Sequence, residues 1–218
     1  MMPQQQPAPD AEALQELGRA SVEIVHDIKN QLNGLKLYAT FLRRRFERDA
    51  RPADELETVN KIIAGLERAA ADTNLLVRFG RTPELSRAPG TDLARLVRDA
   101  ASDADTITTA GENFQGDFDA QKLGEALAEI TRAARERAAA DRRVSISMAR
   151  EETDEGAFAV VEWLGLKEAP GGKSIFGALD GVGALRTALA AKIIQAHGGT
   201  VAQRGAAVSA RIPLSSDK

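Results

Sequence analysis

The sequence predicts an α+β protein in which an N-terminal antiparallel helical hairpin precedes a domain of helices and a small sheet. Apolar residues recur at steps of three and four through the first 80 positions, which is the period of amphipathic helices. From about position 144 onward, short segments alternate apolar and polar residues and end near glycines, as β-strands and their turns do. The predicted order of elements, long helices first and strands later, is typical of an α+β chain.

The chain is predicted to contain a tail, a hairpin, a linker and a second domain. The tail is rich in Gln and Pro and is expected to be disordered. The hairpin helices run from about Asp10 to Arg48 and from Asp54, a predicted N-cap, to about Phe79, with Pro52 in the turn. The linker contains Pro and Gly. These four regions are 1–9, 10–80, 81–90 and 91–218.

The second hairpin helix carries a seam with a seven-residue repeat, which is formed by Leu56, Val59, Ile63, Leu66, Ala70, Thr73 and Val77. Two long helices joined by a short turn form an antiparallel hairpin, and one hairpin alone leaves part of its apolar surface uncovered. Two hairpins packed as a four-helix bundle would bury that surface. We therefore expect a homodimer.

In the second domain the sequence predicts helices that pack on a small mixed or antiparallel sheet. The glycine-bearing segment 171–183 reads as a loop, and Gly198-Gly199 reads as an ordinary helix stop. The predicted helices are 92–100, 120–140 and 184–197, and the predicted strands are 144–148, 157–164, 200–203 and 207–214.

The composition limits the possible functions. The 218 residues carry a formal net charge of -3 and no dense basic patch with interleaved aromatics, so we expect no nucleic-acid partner. The absence of cysteine excludes disulfides and thiolate metal sites and fits a reducing cytoplasm. No apolar run approaches the roughly 20 residues that span a bilayer, and the N-terminus lacks a signal-peptide pattern. We therefore expect a cytoplasmic protein with no membrane partner.

His26 is the main candidate for a reactive residue. It is one of two histidines in the chain, and an imidazole with a free ring nitrogen is a good nucleophile near neutral pH. At 100° per residue it shares a mostly polar helix face with Val22, Glu23, Lys29, Asn30 and Asn33. Asp27 can orient or polarise the ring, and Asn30, one turn on, can position a water or an incoming group. The alternative is an ordinary surface histidine.

The segment His26-Asp27-Ile28-Lys29-Asn30-Gln31-Leu32 resembles the phosphoacceptor motif of two-component histidine kinases, with Gln31 where that family usually has Pro. The resemblance implies a dimerisation and phosphoacceptor hairpin followed by an ATPase-like α/β sandwich. The ending from Ala184 to Leu214, with His197 before two glycines, is similar to the end of that family's ATP-binding domain. His197 itself is interpreted as a structural residue at a helix end.

The residues that the resemblance requires for ATP binding are missing from the second domain. Ala133 stands where the family has a metal-binding Asn, and Glu162-Trp163-Leu164-Gly165 replaces its adenine-binding Asp-x-Gly. Arg186 occupies a usual glycine position in the phosphate turn 182–187. Asp180-Gly181-Val182-Gly183 is the strongest signal for a retained site, but it directly precedes the closing helix and is interpreted as a loop. The second domain is therefore predicted to be a degenerate ATPase-like sandwich.

This combination resembles the histidine phosphotransferases of multistep phosphorelays. The resemblance implies that His26 carries a phosphoryl group to and from aspartates of response-regulator receiver domains, with Asp27 and Asn30 as its catalytic partners. Val22, Glu23, Lys29 and Asn33 are the predicted partner-binding residues. The expected partners also include an upstream histidine kinase or hybrid-kinase receiver. No cofactor or metal of its own is expected, since the Mg²⁺ would be bound by the receiver.

Three alternatives remain open at the level of sequence. The protein is a sensor-less histidine kinase that still binds ATP, a non-catalytic module that sequesters a response regulator, or a phosphatase. The phosphatase fits the same motif, because a water held at Asn30 converts transfer into hydrolysis. The direction of phosphate flow and the identities of donor and acceptor do not follow from the sequence.

Overall fold

The computed structural model describes residues 9–102, 105–138, 143–167, 176 and 181–215, with side chains described from Ile24 onward. The chain forms two compact units, residues 1–81 and 82–218. Helices make up the first unit, and three helices with seven strands make up the described part of the second.

The first unit consists of helix α1 (Pro9–Arg48) and helix α2 (Ala53–Gly80), joined by a four-residue turn. Val59, Ile63 and Thr73 of the predicted seam are buried where α2 meets α1. Lys36 of α1 forms an ion pair with Glu67 of α2, with 2.8 Å between Nζ and Oε1. The seven-residue seam thus faces the neighbouring helix, as its spacing requires.

The turn between the helices is held by local contacts. Ala50 adopts a left-handed conformation with φ of 47°, which ends α1, and the Arg51 N–H donates to the Phe46 carbonyl at 3.0 Å. The Arg51 guanidinium donates to the Glu55 carboxylate. Asp54 was predicted to cap α2, but the helix begins at Ala53 and its N-cap is Pro52, two residues before the predicted cap. Asp54 lies in the first turn instead, where its charge suits the positive end of the helix dipole.

The second unit is a two-layer α/β sandwich. Its five-stranded sheet has the order β2-β4-β5-β7-β6, and β1 and β3 form a separate antiparallel pair. Strand β2 is parallel to β4 and the other pairings are antiparallel, so the sheet is mixed. In chain order the elements are β1 (Ala88–Asp92), α3 (Leu93–Ala100), β2 (Thr106–Ala110), β3 (Gln115–Phe118), α4 (Ala120–Arg137), β4 (Ser145–Thr153), β5 (Gly156–Leu164), α5 (Val182–Ala196), β6 (Thr200–Arg204) and β7 (Ala207–Pro213).

The core of this unit lies between one face of the sheet and the helices. Side chains alternate along β5 and β7, so that every second one is buried and the others are half-buried on the opposite face. Helix α4 packs against both α3 and α5. The largest fully buried side chains are Trp163, Phe118, Leu93, Leu123, Leu127, Ile130, Ile146, Met148, Ile194 and Ile212.

The sequence did not predict three of the seven strands. Strands β1, β2 and β3 are four or five residues long, and β1 includes the Pro89-Gly90 dipeptide that reads as a turn. Part of the predicted linker 81–90 is therefore strand, because β1 is stabilised by pairing with β3, more than 20 residues away. Helix α4 ends at Arg137 and α5 begins at Val182. Most of the predicted loop 171–183 lies outside the described residues.

Candidate functional site

The predicted reactive face lies on α1. His26, Asp27, Asn30 and Asn33 are exposed and Lys29 is half-buried. The side chains of Val22 and Glu23, the other two residues of the predicted face, lie outside the described residues. Because no Pro or Gly falls between His26 and Asn33, the helix runs through this region without a break. The imidazole is therefore open to solvent in this chain.

Within the described part of α1, the partner of the His26 ring is Asn30. The amide nitrogen of Asn30 lies 3.4 Å from Nδ1 of the imidazole. This is the contact expected of residues four apart on a helix. No hydrogen bond joins the ring to Asp27, which lies 100° further round the helix axis.

The face that carries His26 also contains two exposed apolar side chains that the sequence prediction missed. Leu37 and Phe41 are 54% and 57% exposed. At 100° per residue they lie within about 60° of His26 around the helix axis, three to four turns toward the hairpin turn. The sequence signal for these two positions is their helical spacing from His26.

A second apolar stripe lies on a different side of α1. Its five members share one helix face by their spacing and are between 42% and 70% exposed. They are Ile24, Ile28, Leu35, Tyr38 and Leu42. This stripe is not covered within the hairpin, because the side of α1 that meets α2 is formed by other residues.

In the second unit, α4 carries the positions where the histidine-kinase resemblance requires nucleotide ligands. Ala133 stands at the position of the metal-binding Asn and is buried, with 8% of its surface exposed. Its methyl group offers no ligand atom. The neighbouring charges pair with each other, since Arg132 contacts the carboxylates of Glu129, at 2.8 Å, and Glu136.

At the end of β5, Trp163 stands near the position of the expected adenine-binding Asp. The side chain is 1% exposed, and its indole N–H donates to the hydroxyl of Thr131 on α4 at 2.9 Å. Glu162, the residue before Trp163, has a carboxylate, but its side chain lies on the other face of the sheet. There the Ser147 hydroxyl donates to it at 3.3 Å. A buried indole therefore fills the space between β5 and α4.

His197, the second histidine, is buried at the end of α5 with 2% of its surface exposed. Its Nδ1–H donates to the carbonyl of Ile193 at 2.8 Å, and its Nε2 accepts the Asp119 N–H at 3.1 Å. Burial lowers the pKa of the ring. The Nδ1 bond ties the ring to the last turn of α5, and the Nε2 bond joins α5 to the start of α4, which is a structural role.

Gly199, the second glycine after His197, is required by close packing. A Cβ at this position would lie 2.7 Å from the Arg211 carbonyl oxygen and 2.8 Å from a methyl group of Ile194. The His-Gly-Gly sequence that supported the resemblance is therefore explained by the packing of α5 against the sheet. It carries no information about a ligand.

Among the described residues, no group of three or more His, Cys, Asp or Glu side chains has the arrangement of a metal site. None of the described helices combines the length and the hydropathy of a membrane span.

The structure is similar to solved histidine kinases. Full-length ShkA in complex with AMPPNP gives a TM-score of 0.61 at 20% identity, over 89% of this chain and 45% of that one. The histidine kinase AdeS of Acinetobacter baumannii gives 0.48 at 14% identity, over 82% of this chain and 95% of that one. The catalytic domain of ThkA gives 0.44 at 17% identity, over 62% of this chain and 100% of that one.

The similarity to ShkA establishes the fold of the chain, which is histidine-kinase-like. The chain spans less than half the length of ShkA. No protein-family profile matches the sequence, and no curated protein matches it at a significant level. At 20% identity the similarity concerns the fold and leaves the activity to be argued from the residues.

Proposed function

We propose that this protein is a histidine phosphotransferase of a two-component phosphorelay, in which His26 reversibly carries a phosphoryl group to and from receiver-domain aspartates without binding ATP. The observation that carries the proposal is a solvent-exposed imidazole on a helical hairpin within a histidine-kinase-like fold. Asp27 and Asn30 are the proposed catalytic partners of His26, as the sequence motif predicts.

The chemistry requires one nucleophile from this chain. A lone pair of the His26 ring attacks the phosphorus of a receiver aspartyl phosphate in line, the N–P bond forms, and the aspartate carboxylate leaves with the electron pair of the P–O bond. The Mg²⁺ of the receiver would stabilise the charge on the transferring group. This chain would supply position and access, which an exposed ring on a rigid helix provides.

Two residues of the second unit support the absence of ATP binding. A nucleotide–Mg²⁺ complex is held by oxygen ligands, and the buried methyl of Ala133 supplies none. An adenine amino group needs an acceptor, whereas Trp163 offers an indole N–H that Thr131 already accepts. Ala133 in place of an Asn and Trp163 in place of an Asp both change the chemical nature of the site, so neither is a conservative replacement.

The receiver would dock on the face of α1 that carries His26. Leu37 and Phe41 extend this face with exposed apolar surface, which protein partners commonly use. Lys29 and Asn33, together with Val22 and Glu23, are the proposed polar and flanking contacts. These apolar residues lie three to four helical turns from His26. A docked protein domain can contact both places at once, whereas a small molecule cannot.

The proposed assembly is a homodimer in which two hairpins form a four-helix bundle. The uncovered stripe Ile24, Ile28, Leu35, Tyr38 and Leu42 supplies the apolar surface for such a bundle. A symmetric interface of this kind uses the same stripe from both chains. His26 faces away from the stripe, so dimerisation would leave the ring accessible.

One experiment separates the candidate reactions. Purified protein is incubated with labelled ATP alone and then with a labelled, phosphorylated receiver domain, and acid-labile label on the chain is measured. The proposal expects label only from the receiver and none in His26→Gln, whose folding is checked by circular dichroism. Label acquired from ATP alone would replace the transferase with a kinase.

The kinase is the second candidate, because the structure is similar to ShkA, which was solved in complex with AMPPNP. The third is a module that sequesters or dephosphorylates a response regulator. It predicts receiver binding that survives His26→Gln and, for a phosphatase, loss of receiver phosphate without any label on the chain. The same labelling experiment distinguishes all three.

A further inference from the structure

We propose that His197 and Asp119 form a proton-operated latch, which holds the segment 82–87 on the second unit while the His197 ring is neutral and releases it when the ring is protonated. The segment follows directly on Arg81, where the hairpin unit ends. The length of free chain between the two units then depends on one proton. The latch takes no part in the proposed phosphoryl transfer, and the inference does not rest on it.

Two hydrogen bonds attach the segment to the helices of the second unit. The Ser86 N–H donates to Oδ2 of Asp119 at 2.8 Å, and the Arg87 guanidinium donates to the Ala196 carbonyl, in the last turn of α5, at 2.6 Å. Asp119 is the N-cap of α4, where its Oδ1 accepts the Lys122 N–H at 3.0 Å. The segment contains no helix or strand, so no ladder of backbone hydrogen bonds fixes it in place.

The residue that holds Ser86 is also bound to the buried ring. The Asp119 N–H lies against Nε2 of His197 at 3.1 Å, and the Ile193 carbonyl lies against Nδ1 at 2.8 Å. A carbonyl can only accept, so Nδ1 carries the proton of the neutral ring. A backbone N–H can only donate, so Nε2 must keep its lone pair. The closed latch therefore requires a neutral imidazole.

Protonation reverses the role of Nε2. A proton on this nitrogen faces the Asp119 N–H, so two donors meet where one hydrogen bond existed. The Asp119 carboxylate, on the same residue, is an acceptor with which a charged ring forms the stronger, charge-assisted kind of hydrogen bond. This carboxylate is also the acceptor of the Ser86 N–H. The ring and the segment then compete for one carboxylate, and the segment is released as the ring becomes charged.

The charges that act on the ring come from the start of α4 and from the segment itself. Burial lowers the pKa of His197, the Ile193 carbonyl and the charge of Asp119 oppose this effect, and the charges of Arg87 and Lys122 add to it, so the pKa is lowered overall. Lys122 also lies close to the carboxylate, with 3.7 Å between Nζ and Oδ2. Departure of the segment takes Arg87 from the ring and admits water, which returns the pKa toward its ordinary value of about 6.5.

The direction of the pH effect follows from linkage. Below about pH 6.5 the open latch binds more protons than the closed one, because its ring has the higher pKa. The open population should therefore rise as the pH falls from about 7 to about 5. One proton is involved, so the rise is at most about tenfold per pH unit.

The first test follows native full-length protein by ¹H–¹⁵N spectroscopy as the pH is lowered. The shift of the Ser86 amide should change with the same midpoint as the ring nitrogens of His197. The Ala94 amide is the matched reference, because it donates to the Asp92 carboxylate at 2.9 Å in the cap of α3. No histidine is bound at that cap, so the Ala94 shift should stay constant over this range. A Ser86 amide that does not respond while His197 titrates would overturn the proposal.

The second test separates release of the segment from unfolding of the whole unit. The hydrogen-exchange protection factor of the Ser86 amide should fall by up to about tenfold per pH unit below about 6.5, and the amides of β5, which report global unfolding, should lose less. Equal losses at both places would refute the latch.

The variant His197→Gln retains an amide oxygen that can accept the Asp119 N–H, but it does not titrate. In this variant the protection of Ser86 should not change with pH over the same range. Circular dichroism checks that the variant folds, and the native measurements decide the question if it does not. A pH dependence retained in the folded variant would contradict the assignment to His197.

Discussion

His26 and His197 are the same residue type with opposite environments. The ring of His26 is exposed and touches one amide, whereas His197 is buried with both nitrogens in hydrogen bonds to the backbone. The first arrangement leaves a ring nitrogen free for chemistry, and the second leaves none. Position in the fold therefore separates a candidate reactive histidine from a structural one.

The buried histidine predicts a pH dependence of stability. Burial lowers the pKa of His197 in the folded protein, while the unfolded ring titrates near its ordinary value of about 6.5. The unfolded state then binds more protons below that value, so the free energy of unfolding should fall as the pH decreases from about 7 to about 5. Urea unfolding at several pH values measures this loss.

The control for this prediction is His197→Asn, which keeps polar atoms but does not titrate. Its unfolding free energy should depend less on pH between about 5 and 7. Asp119 contributes to the pH dependence of stability in a different pH range. Burial raises its pKa, but the backbone N–H groups of Lys122 and Ser86 outweigh that effect and lower it overall, so this contribution is lost only near and below about pH 4. An unchanged slope in the variant would contradict the assignment to His197.

The Trp163–Thr131 hydrogen bond gives a second prediction at the residue scale. Thr131→Val preserves shape but removes the acceptor of a fully buried indole N–H. An unsatisfied buried donor costs about 1–3 kcal/mol, and the free energy of unfolding measured in urea should fall by that amount. Thr131→Ser keeps the hydroxyl and should be less destabilising. Equal losses in the two variants would mean that packing, and not the hydrogen bond, is responsible.

At the scale of elements, α1 presents three different faces. One side meets α2, one carries the uncovered apolar stripe, and one carries His26 with Leu37 and Phe41. Leu35 and Leu37 are two positions apart and similarly exposed, at 52% and 54%, but they lie on different faces because residues i and i+2 are 200° apart. They form a matched pair of positions for testing the uncovered apolar stripe and the face that carries His26.

We expect Leu35→Asp to convert the proposed dimer to monomer, because it would place charges in the proposed apolar bundle interface. Leu37→Asp should leave the dimer intact and slow phosphoryl transfer from the receiver by about tenfold, the effect of losing one well-packed apolar contact. Light scattering measures the first change and transfer kinetics the second. If Leu37→Asp dissociates the dimer, the two faces have been assigned wrongly.

At the scale of the whole molecule, a histidine-kinase-like fold carries Ala133 and Trp163 at the positions where the resemblance requires nucleotide ligands. A ligand that binds only the folded state raises its stability in proportion to the logarithm of the ligand concentration over Kd. We expect saturating Mg²⁺–ATP to leave the thermal unfolding midpoint unchanged. A concentration-dependent rise would show retained nucleotide binding and favour the kinase alternative.

The same measurement on the double variant Trp163→Asp, Ala133→Asn tests whether these two residues account for the expected loss of nucleotide binding. The double variant restores a carboxylate at the end of β5 and an amide on α4. Scanning calorimetry without nucleotide first checks that it folds, since removing a buried Trp costs about 3–5 kcal/mol. A rise of the midpoint with Mg²⁺–ATP in this variant alone would identify the two residues as the cause.

Local pattern in the sequence was sufficient to predict the helices. The predicted ends of α1 and α2 lie within about two residues of the observed ones, because helix period, turn residues and caps act over a few neighbouring positions. The exposure of His26 followed from the same arithmetic. The glycine stop after α5 was also predicted, since a helix end has a local signature.

Only the tertiary structure decided the features that depend on distant partners. Strands β1, β2 and β3 form because of neighbours far along the chain, and five-residue strands have little pattern of their own. The indole of Trp163 meets Thr131 across 32 positions. Sequence spacing therefore determined which residues form each helix, and packing determined which atoms meet.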